Sequence, residues 1–463
     1  MSFFNQPFTQ KGFLRLPWQS KSFANGIHPE DHKELTERKP IRRMPFSNKI
    51  IVPLSQSIGA PAKPIVSKGQ DVVRGEPIAE AGGFVSAPVH APVTGTVAAV
   101  DELVSMPNGS KTPAILIDTW PSSDQTVRYL QPRDTSVMSA DDLVKAVQDA
   151  GVVGLGGAAF PTHVKMKAPK GKTIKTLVAN GCECEPYLTC DHRTMLEYTD
   201  NLLRGLQLAM VTSGAKKAII GIEDNKMDAV EKIRQSIVAR QLTNITCEAV
   251  PTCYPQGAEK MLLKSLLGLE VPAGGIPADI GCAVFNVGTL AQIGELVPQG
   301  RGLIERIVTV SGPGVSKPGN YIISLGTPLP FVLEQTGAID NPGMIILGGP
   351  MMGMSIATRD IATTKGITGI LVFTPEQLPN SHEPEMPCIG CRACVEACPM
   401  LLNPSMLGKL ADVNRHQEMM DKFHLMNCFE CGCCSNSCPA NIPLTQKIRV
   451  AKQSIRQKAR SAG

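Results

Sequence analysis

Between residues 174 and 251 the apolar positions follow two alternating rhythms. "IKTLVAN" (174–180), "KKAIIGIEDN" (216–225) and "ITCEAVP" (245–251) are short, rich in β-branched residues and bounded by Gly, Asn or Pro, so they read as strands. From about Thr194 to Thr212, Leu196, Leu203, Leu206 and Met210 share one helical face, and "MDAVEKIRQSIVARQ" (227–241) reads as a second helix. Strands and helices alternating at these lengths predict a doubly wound, Rossmann-like α/β domain. Residues 47–118 differ. "VSKGQDVVRGEPIAE" and "VSAPVHAPVTGTVAAV" carry short alternations broken by Gly and Pro, which predict a small all-β sandwich. A second β-rich stretch, 305–337, turns on "GPG" and "KPGN". Leu407, Leu410, Val413 and His416 recur at helical spacing near the C-terminal end.

Composition narrows the function classes. The chain has 463 residues, enough for several domains, and is 43% hydrophobic, as a folded chain requires. Aromatic residues are 4% and the net charge is +5, which argues against a nucleic-acid partner. The positive charge gathers at the two ends. Residues 1–50 hold nine Lys/Arg against four Asp/Glu, and the last nineteen hold six against none. Solvated tails are one reading; docking to an anionic membrane surface or an acidic partner is the other. No apolar run is long enough to span a bilayer and no signal peptide is read, so the expected compartment is the cytoplasm. Phe13, Leu14 and Trp18 are candidates for holding the N-terminus against a membrane or a membrane subunit. In a reducing compartment, fifteen Cys read as metal ligands or redox groups before disulfides.

"CIGCRACVEACPM" begins at Cys388 and "CFECGCCSNSCPA" at Cys428. Each places four Cys at spacings of two, two and three residues, with Pro after the last. Cys-x2-Cys-x2-Cys wraps a loop round a [4Fe–4S] cube, and the fourth Cys reaches the other cluster. The expected ligand sets are therefore crossed. One is Cys388, Cys391, Cys394 and Cys438; the other is Cys428, Cys431, Cys434 and Cys398. Zinc sites use two pairs of ligands, not eight cysteines in duplicated order. Cys433 beside Cys434 reads as a spare thiol, although either of the two could ligate.

"GVVGLGGAAFPTHVKM" (151–166) spaces Gly154, Gly156 and Gly157 as in a phosphate-holding loop, with Lys165 as a nearby charge. By spacing alone this stretch could equally be a turn. "GCECEP" follows the strand ending at Asn180, where α/β sheets place ligands, so Glu183 and Glu185 are candidates to orient a ribose or nicotinamide.

These stretches resemble the flavin- and NADH-binding subunit family of respiratory complex I, in order along the chain. "GLGGAAFPTHVK" is similar to its flavin loop, and "NGCECEP" to its Asn, Glu and Pro loop. "YPQGAEKMLLKSLLG" is similar to its Tyr–Gly–Glu segment (Tyr254, Gly257, Glu259), and "FNVGTLAQI" to its Asn–Thr element (Asn286, Thr289). The resemblance implies FMN held by the glycines, Lys165, Asn180, Asn286 and Thr289, Tyr254 and Gly257 as further cofactor-binding residues, and Glu183, Glu185 and Glu259 at the reacting end. Leu155, Cys182 and Ala258 depart from that family's Arg, Asp and Glu. The duplicated cysteine run also departs from it. The whole chain is similar instead to the RnfC family, found in bacterial Rnf (Rsx) ion-translocating electron-transport complexes.

That resemblance implies a multidomain chain of α/β and α+β type. Residues 1–46 are a basic N-terminal segment and 47–120 a barrel-sandwich hybrid. The FMN/NADH-binding domain spans 135–300 and a soluble-ligand-binding β-grasp domain 303–372. A helical ferredoxin-like domain with two [4Fe–4S] clusters spans 376–446, ahead of a basic tail, 447–463. "APVTGTV" resembles the lipoyl hammerhead, but its tip, "GGFVSAPVH", has no lysine, so no swinging arm is expected. Met351, Met352 and Met354 are read as packing. The implied role is a peripheral subunit on the cytoplasmic side of the bacterial inner membrane, exchanging electrons between NAD(H), FMN and the clusters. Its partners would be other Rnf membrane subunits, with ferredoxin reached through them. Nicotinamide moves electrons in pairs and clusters move them singly; a flavin does both. The alternatives are a cluster-bearing adaptor without a working flavin site and a stand-alone soluble NADH dehydrogenase.

Overall fold

The structure, a computed structural model, describes residues 22–378 and 384–461. The candidates Phe13, Leu14 and Trp18 lie outside the described residues. Four parallel strands form the α/β sheet, in the order Ile245–Val250, Lys217–Glu223, Thr176–Asn180, Cys282–Asn286. The first strand in sequence is thus internal. The chain leaves it to one side for two strands, then returns to its other side. The carboxyl ends of Thr176–Asn180 and Cys282–Asn286 therefore flank a topological switch point, where open α/β sheets bind ligands. Asn180 and Asn286 are register partners there. Leu177, Leu202, Leu206, Ile220 and Leu290 fill the core below. Helices Thr199–Ser213 and Val287–Gln299 cross closely enough that a Cβ on Gly205 or Gly294 would strike the other helix's backbone.

The helix expected over 194–212 is two helices, Cys190–Glu197 and Thr199–Ser213. The Thr199 hydroxyl donates to the Met195 carbonyl (2.6 Å) and competes with the backbone at the break. Near the C-terminal end, the run through Val413 and His416 likewise divides into Pro404–Asp412 and His416–Asp421. Asn414 sits there at φ +56°, and Val413 is exposed.

Residues 49–119 fold as two small sheets. One is four-stranded and antiparallel around the hairpin Gly95–Ser105 with Lys111–Thr119; the other is three-stranded. Ile50, Ile78, Ile115 and Ile117 pack between them. The third unit is a six-stranded mixed sheet in the order Arg42–Arg43, Gly319–Ser324, Glu305–Ser311, Gly369–Phe373, Met344–Leu347, Met354–Ser355. Part of the basic N-terminal segment is thus an edge strand of this sheet. Arg43 also pairs with Glu305 (2.7 Å). The basic end is similarly built in. Helix Leu444–Ser461 pairs Lys447 with Glu385 and Asp412, and Arg449 and Lys452 with Glu430, leaving Arg456 and Lys458 exposed. No helix among the described residues is long and apolar enough to cross a membrane.

Buried cations join the units. The Lys365 amine donates to the carbonyls of Pro88 (2.7 Å) and Gly151 (2.8 Å), one in the N-terminal β-unit and one in the α/β unit. Arg306 donates to the Leu155 carbonyl (2.7 Å) and to that of Lys365. Burial lowers the Lys365 amine to about 7, and a neutral amine still has two N–H groups for its two acceptors. The unfolded chain keeps this proton up to about pH 10. Between about pH 7 and 10 the unfolded state therefore binds more protons, and this site favours folding increasingly as pH rises. Lys365→Met should cost about 2–5 kcal/mol by stranding two buried carbonyls. It should also flatten the rise of the thermal melting midpoint with pH over that range. A melt series on both proteins checks it.

Candidate redox site

Asn180 and Asn286 organise the switch point. Asn180 Nδ2 donates to the Gly257 carbonyl (2.8 Å), and its Oδ1 accepts from Cys182 N–H (3.0 Å), tying the loop after the strand to the 254–257 segment. Gly257 comes so close that a Cβ there would strike the Cys182 carbonyl. Asn286 caps helix Val287–Gln299 by accepting from Thr289 N–H (3.1 Å), and its Nδ2 donates to Asp191 (2.6 Å). The Thr289 hydroxyl accepts from Leu155 N–H (2.8 Å), which fixes the glycine loop to that helix. Gly154 closes the loop through its N–H to the Phe160 carbonyl (2.8 Å). Gly156, Gly157 and Ala158 are exposed, and a Cβ on Gly157 would meet open space.

The acidic candidates hold distinct posts. Glu183 accepts from the backbone N–H groups of Asp191 (2.9 Å) and His192 (3.0 Å) and from the Cys190 thiol (3.2 Å), so it caps helix Cys190–Glu197. Glu185 accepts from Met351 N–H (2.9 Å) and Met352 N–H (2.8 Å) of the six-stranded unit. Burial raises its carboxyl above the usual range, and these two donors pull it partly back. Glu259 pairs with Lys165, whose ammonium also lies 5.7 Å from the Phe285 ring centre.

Three further residues escape a reading of the sequence. The buried Lys33 amine donates to the carbonyls of Glu183 (2.9 Å), Glu185 (2.9 Å) and Leu188 (2.6 Å), shaping the acidic loop from the N-terminal segment. Arg306 brings a guanidinium to the glycine loop from another unit, while the Leu155 side chain is buried in the core. Asp191 completes the Asn286 contact. An acid in a helix's first turn is a visible signal for Asp191; the two remote cations carry none.

The cysteine loops repeat in structure as in sequence. Gly390 and Arg392 have positive φ, and so do Glu430 and Gly432 at the same offsets from Cys388 and Cys428. Short helices Ala393–Glu396 and Cys433–Asn436 follow in register. Cys388, Cys391, Cys394 and Cys438 line one cavity of about 240 Å3, with Cys388 and Cys391 exposed. In the other set, burial pushes Cys428 up to about 11 and Cys434 up to about 12, and Cys398 and Cys431 add to both rises. Cys398 and Cys428 also pack in one hydrophobic cluster. Backbone N–H groups point at sulfur, from Glu430 to Cys428 (3.3 Å) and from Leu402 to Cys398 (3.4 Å). Among the described residues no three Cys, His, Asp or Glu converge on a single ion. A cube gives each thiolate its own iron, so its ligands stand around it instead of meeting at a point.

The two regions meet. The Tyr254 hydroxyl donates to the Cys431 carbonyl (2.7 Å), and the ring packs against Cys431, Cys433 and Ala397. Burial raises the Tyr254 phenol, which keeps it a donor. Residues 25–27 clamp the same seam. Asn25 Nδ2 donates to the Cys398 carbonyl (3.0 Å), Gly26 N–H to that of Ala397 (3.3 Å), and Ile27 pairs with Tyr254.

Family models match this layout. A Nuo51 FMN-binding domain matches residues 147–295, an RnfC barrel sandwich hybrid domain 21–120, an SLBB domain 307–355 and a 4Fe-4S dicluster domain 387–442. A subunit of the proton-translocating ferredoxin:NAD(+) oxidoreductase complex of Clostridium ljungdahlii is 40% identical over 94% of both chains. Its counterpart in the Na(+)-translocating complex of Acetobacterium woodii is 41% identical over 94% of this chain and 97% of that one. The chain belongs to the RnfC family. A similar fold occurs in NAD+-reducing [NiFe]-hydrogenase in its H2-reduced state, with TM-score 0.51 and 21% identity. The match covers 69% of this chain and 63% of that one. Within the RnfC fold, the bare backbone of Gly156–Ala158 beside two paired strand ends fits a flavin phosphate. The two cysteine sets fit two clusters.

Burial, then Glu183, pushes the Asp191 carboxyl up to about 7. The folded chain therefore holds a proton that the unfolded chain releases from about pH 4, and stability falls as pH rises through that window. Asp191→Asn should flatten the fall in melting midpoint between about pH 5 and 7; an unchanged slope would contradict this account of the site.

Proposed function

We propose that the chain is the peripheral NAD(H)-reacting subunit of an ion-translocating, membrane-bound ferredoxin:NAD(+) oxidoreductase complex. In this reading it carries electrons between a dinucleotide site and two [4Fe–4S] clusters on the cytoplasmic side of the membrane. The Tyr254–Cys431 hydrogen bond carries the reading, because it seats a cluster loop directly against the candidate flavin crevice. Bound FMN supplies exchange of electrons in pairs with nicotinamide and singly with iron–sulfur clusters.

The chain's own residues divide the remaining work. Gly156 and Gly157 offer backbone to the flavin phosphate, Gly154 closes the loop instead, and Asn180, Asn286 and Thr289 hold the strand ends and loop that frame it. Lys165 and Glu259, half exposed and paired, stand free to exchange partners when an anionic ligand arrives. The three hydrogen bonds on Glu183 support a positioning role in place of the catalytic one expected from the sequence. Glu185, half-buried near Tyr254, remains the acid that faces the reacting end.

Cys398, Cys428, Cys431 and Cys434 would hold the cluster next to the flavin. Cys388, Cys391, Cys394 and Cys438 would hold the outer one, whose exposed thiols suit exchange with a partner. Ferredoxin would be reached through such partners, and the exposed Arg456 and Lys458 are charges available to an acidic or membrane surface.

Anaerobically purified full chain should release FMN on acid extraction, and NADH should bleach the flavin and generate reduced-cluster EPR signals. Cys438→Ala should lose one cluster and leave NADH-dependent reduction of the other intact. Cys398→Ala should lose the inner cluster and slow NADH-driven reduction of the outer one at least tenfold. Clusters without flavin would favour the adaptor reading.

A further inference from the structure

The hammerhead tip of the N-terminal β-unit lacks a lysine, and so lacks the chemistry usual for such a tip. In the fold this tip stands beside the glycine loop. Ile58 N–H donates to the Ala159 carbonyl (3.2 Å). His163, in the helix that follows the loop, makes a ring-nitrogen hydrogen bond to the Phe84 carbonyl (3.1 Å). The His163 and Phe84 rings meet edge to face with centres 6.2 Å apart. Phe84 is nevertheless 75% exposed, and Ile58 is 53% exposed.

Loose packing does not explain that exposure. Ala60 N–H donates to the Val85 carbonyl (2.9 Å), Gly82 N–H to the Ser86 hydroxyl (2.9 Å), and that hydroxyl to the Ala60 carbonyl (2.8 Å). Ser86 is fully buried. The tip is a braced loop that holds an aromatic ring in solvent beside exposed Gly156, Gly157 and Ala158.

We propose that Phe84 is the stacking platform for the adenine of NAD(H), supplied to the α/β unit by the N-terminal β-unit. The inference rests on the NAD(H) reading above. A dinucleotide whose nicotinamide meets a flavin at the Asn180–Asn286 strand ends must send its adenosine half away from that crevice. The small exposed residues of the glycine loop leave it room on the side where Phe84 waits. A purine face is flat and apolar, and stacking on an aromatic side chain stabilises each base by about 1–3 kcal/mol. The preset ring also costs little ordering on binding.

The test uses the full chain with its cofactors, assayed anaerobically with an artificial one-electron acceptor. Phe84→Ala should raise KM for NADH roughly tenfold with kcat nearly unchanged, the fold-change expected from lost stacking. Reduced nicotinamide mononucleotide, which has no adenine, should be oxidised equally by both proteins. Phe84→Tyr should restore KM for NADH. An unchanged KM for NADH, an equal loss with both substrates, or loss of bound FMN in Phe84→Ala would overturn the proposal. If the unsubstituted chain holds FMN but oxidises neither substrate, the NAD(H) reading falls, and this one with it.

Discussion

Electrons that arrive in pairs and leave singly need their carriers close together and held still. In this chain that constraint comes down to a seam between two folding units. The Tyr254 hydroxyl crosses it to the Cys431 carbonyl, and its ring closes over Cys433 and Ala397. Residues 25–27 run along the same seam and bond to the carbonyls of Ala397 and Cys398. Glu185 adds the third side by gripping Met351 and Met352. One crevice edge is thereby fixed to a cysteine loop, to the N-terminal segment and to the six-stranded sheet at once. Each bond alone contributes about 1 kcal/mol. Their convergence on one place is what makes the spacing rigid.

The crossed arrangement of the cysteines extends that rigidity outward. In the proposed assignment each run would supply three thiols to one set and its fourth to the other, so neither set would belong to one run alone. The duplicated positive-φ positions show how the sequence repeat becomes a repeat of backbone shape. Glu430 and Arg392 take the left-handed conformation that Gly390 and Gly432 take at the matching offset of the other run. An ordinary side chain pays for that conformation, yet both runs adopt it at the same two offsets. The set beside Tyr254 is mostly buried, whereas Cys388 and Cys391 are exposed. The polarity from inner to outer site is thus a property of the fold.

Local pattern carried much of this. Cysteine spacing supplies the proposed sets, and the β-branched runs located the parallel strands that place Asn180 and Asn286. What failed locally was helix continuity. The breaks at Tyr198 and Asn414 depend on a side chain bonding back to the backbone and on a left-handed residue, neither of which disturbs apolar spacing. What could not be read at all were the long-range cations. Lys33, Arg306 and Lys365 each satisfy backbone carbonyls far away in sequence, and their charge alone suggests a solvated surface. Glu183's helix-capping contacts were hidden for a related reason, since a carboxylate in a ligand loop and one capping the next helix look alike until the fold brings them together.

The central claim is spatial: one iron–sulfur cube lies against the flavin crevice and a second lies outside it, each held across both cysteine runs. Anomalous diffraction at the iron edge from anaerobically grown crystals of the full chain reads this directly. The account predicts two four-iron peaks, one enclosed by Cys398, Cys428, Cys431 and Cys434 next to Tyr254 and one enclosed by Cys388, Cys391, Cys394 and Cys438. A single iron site, or two cubes each held by the four cysteines of one run, would contradict it.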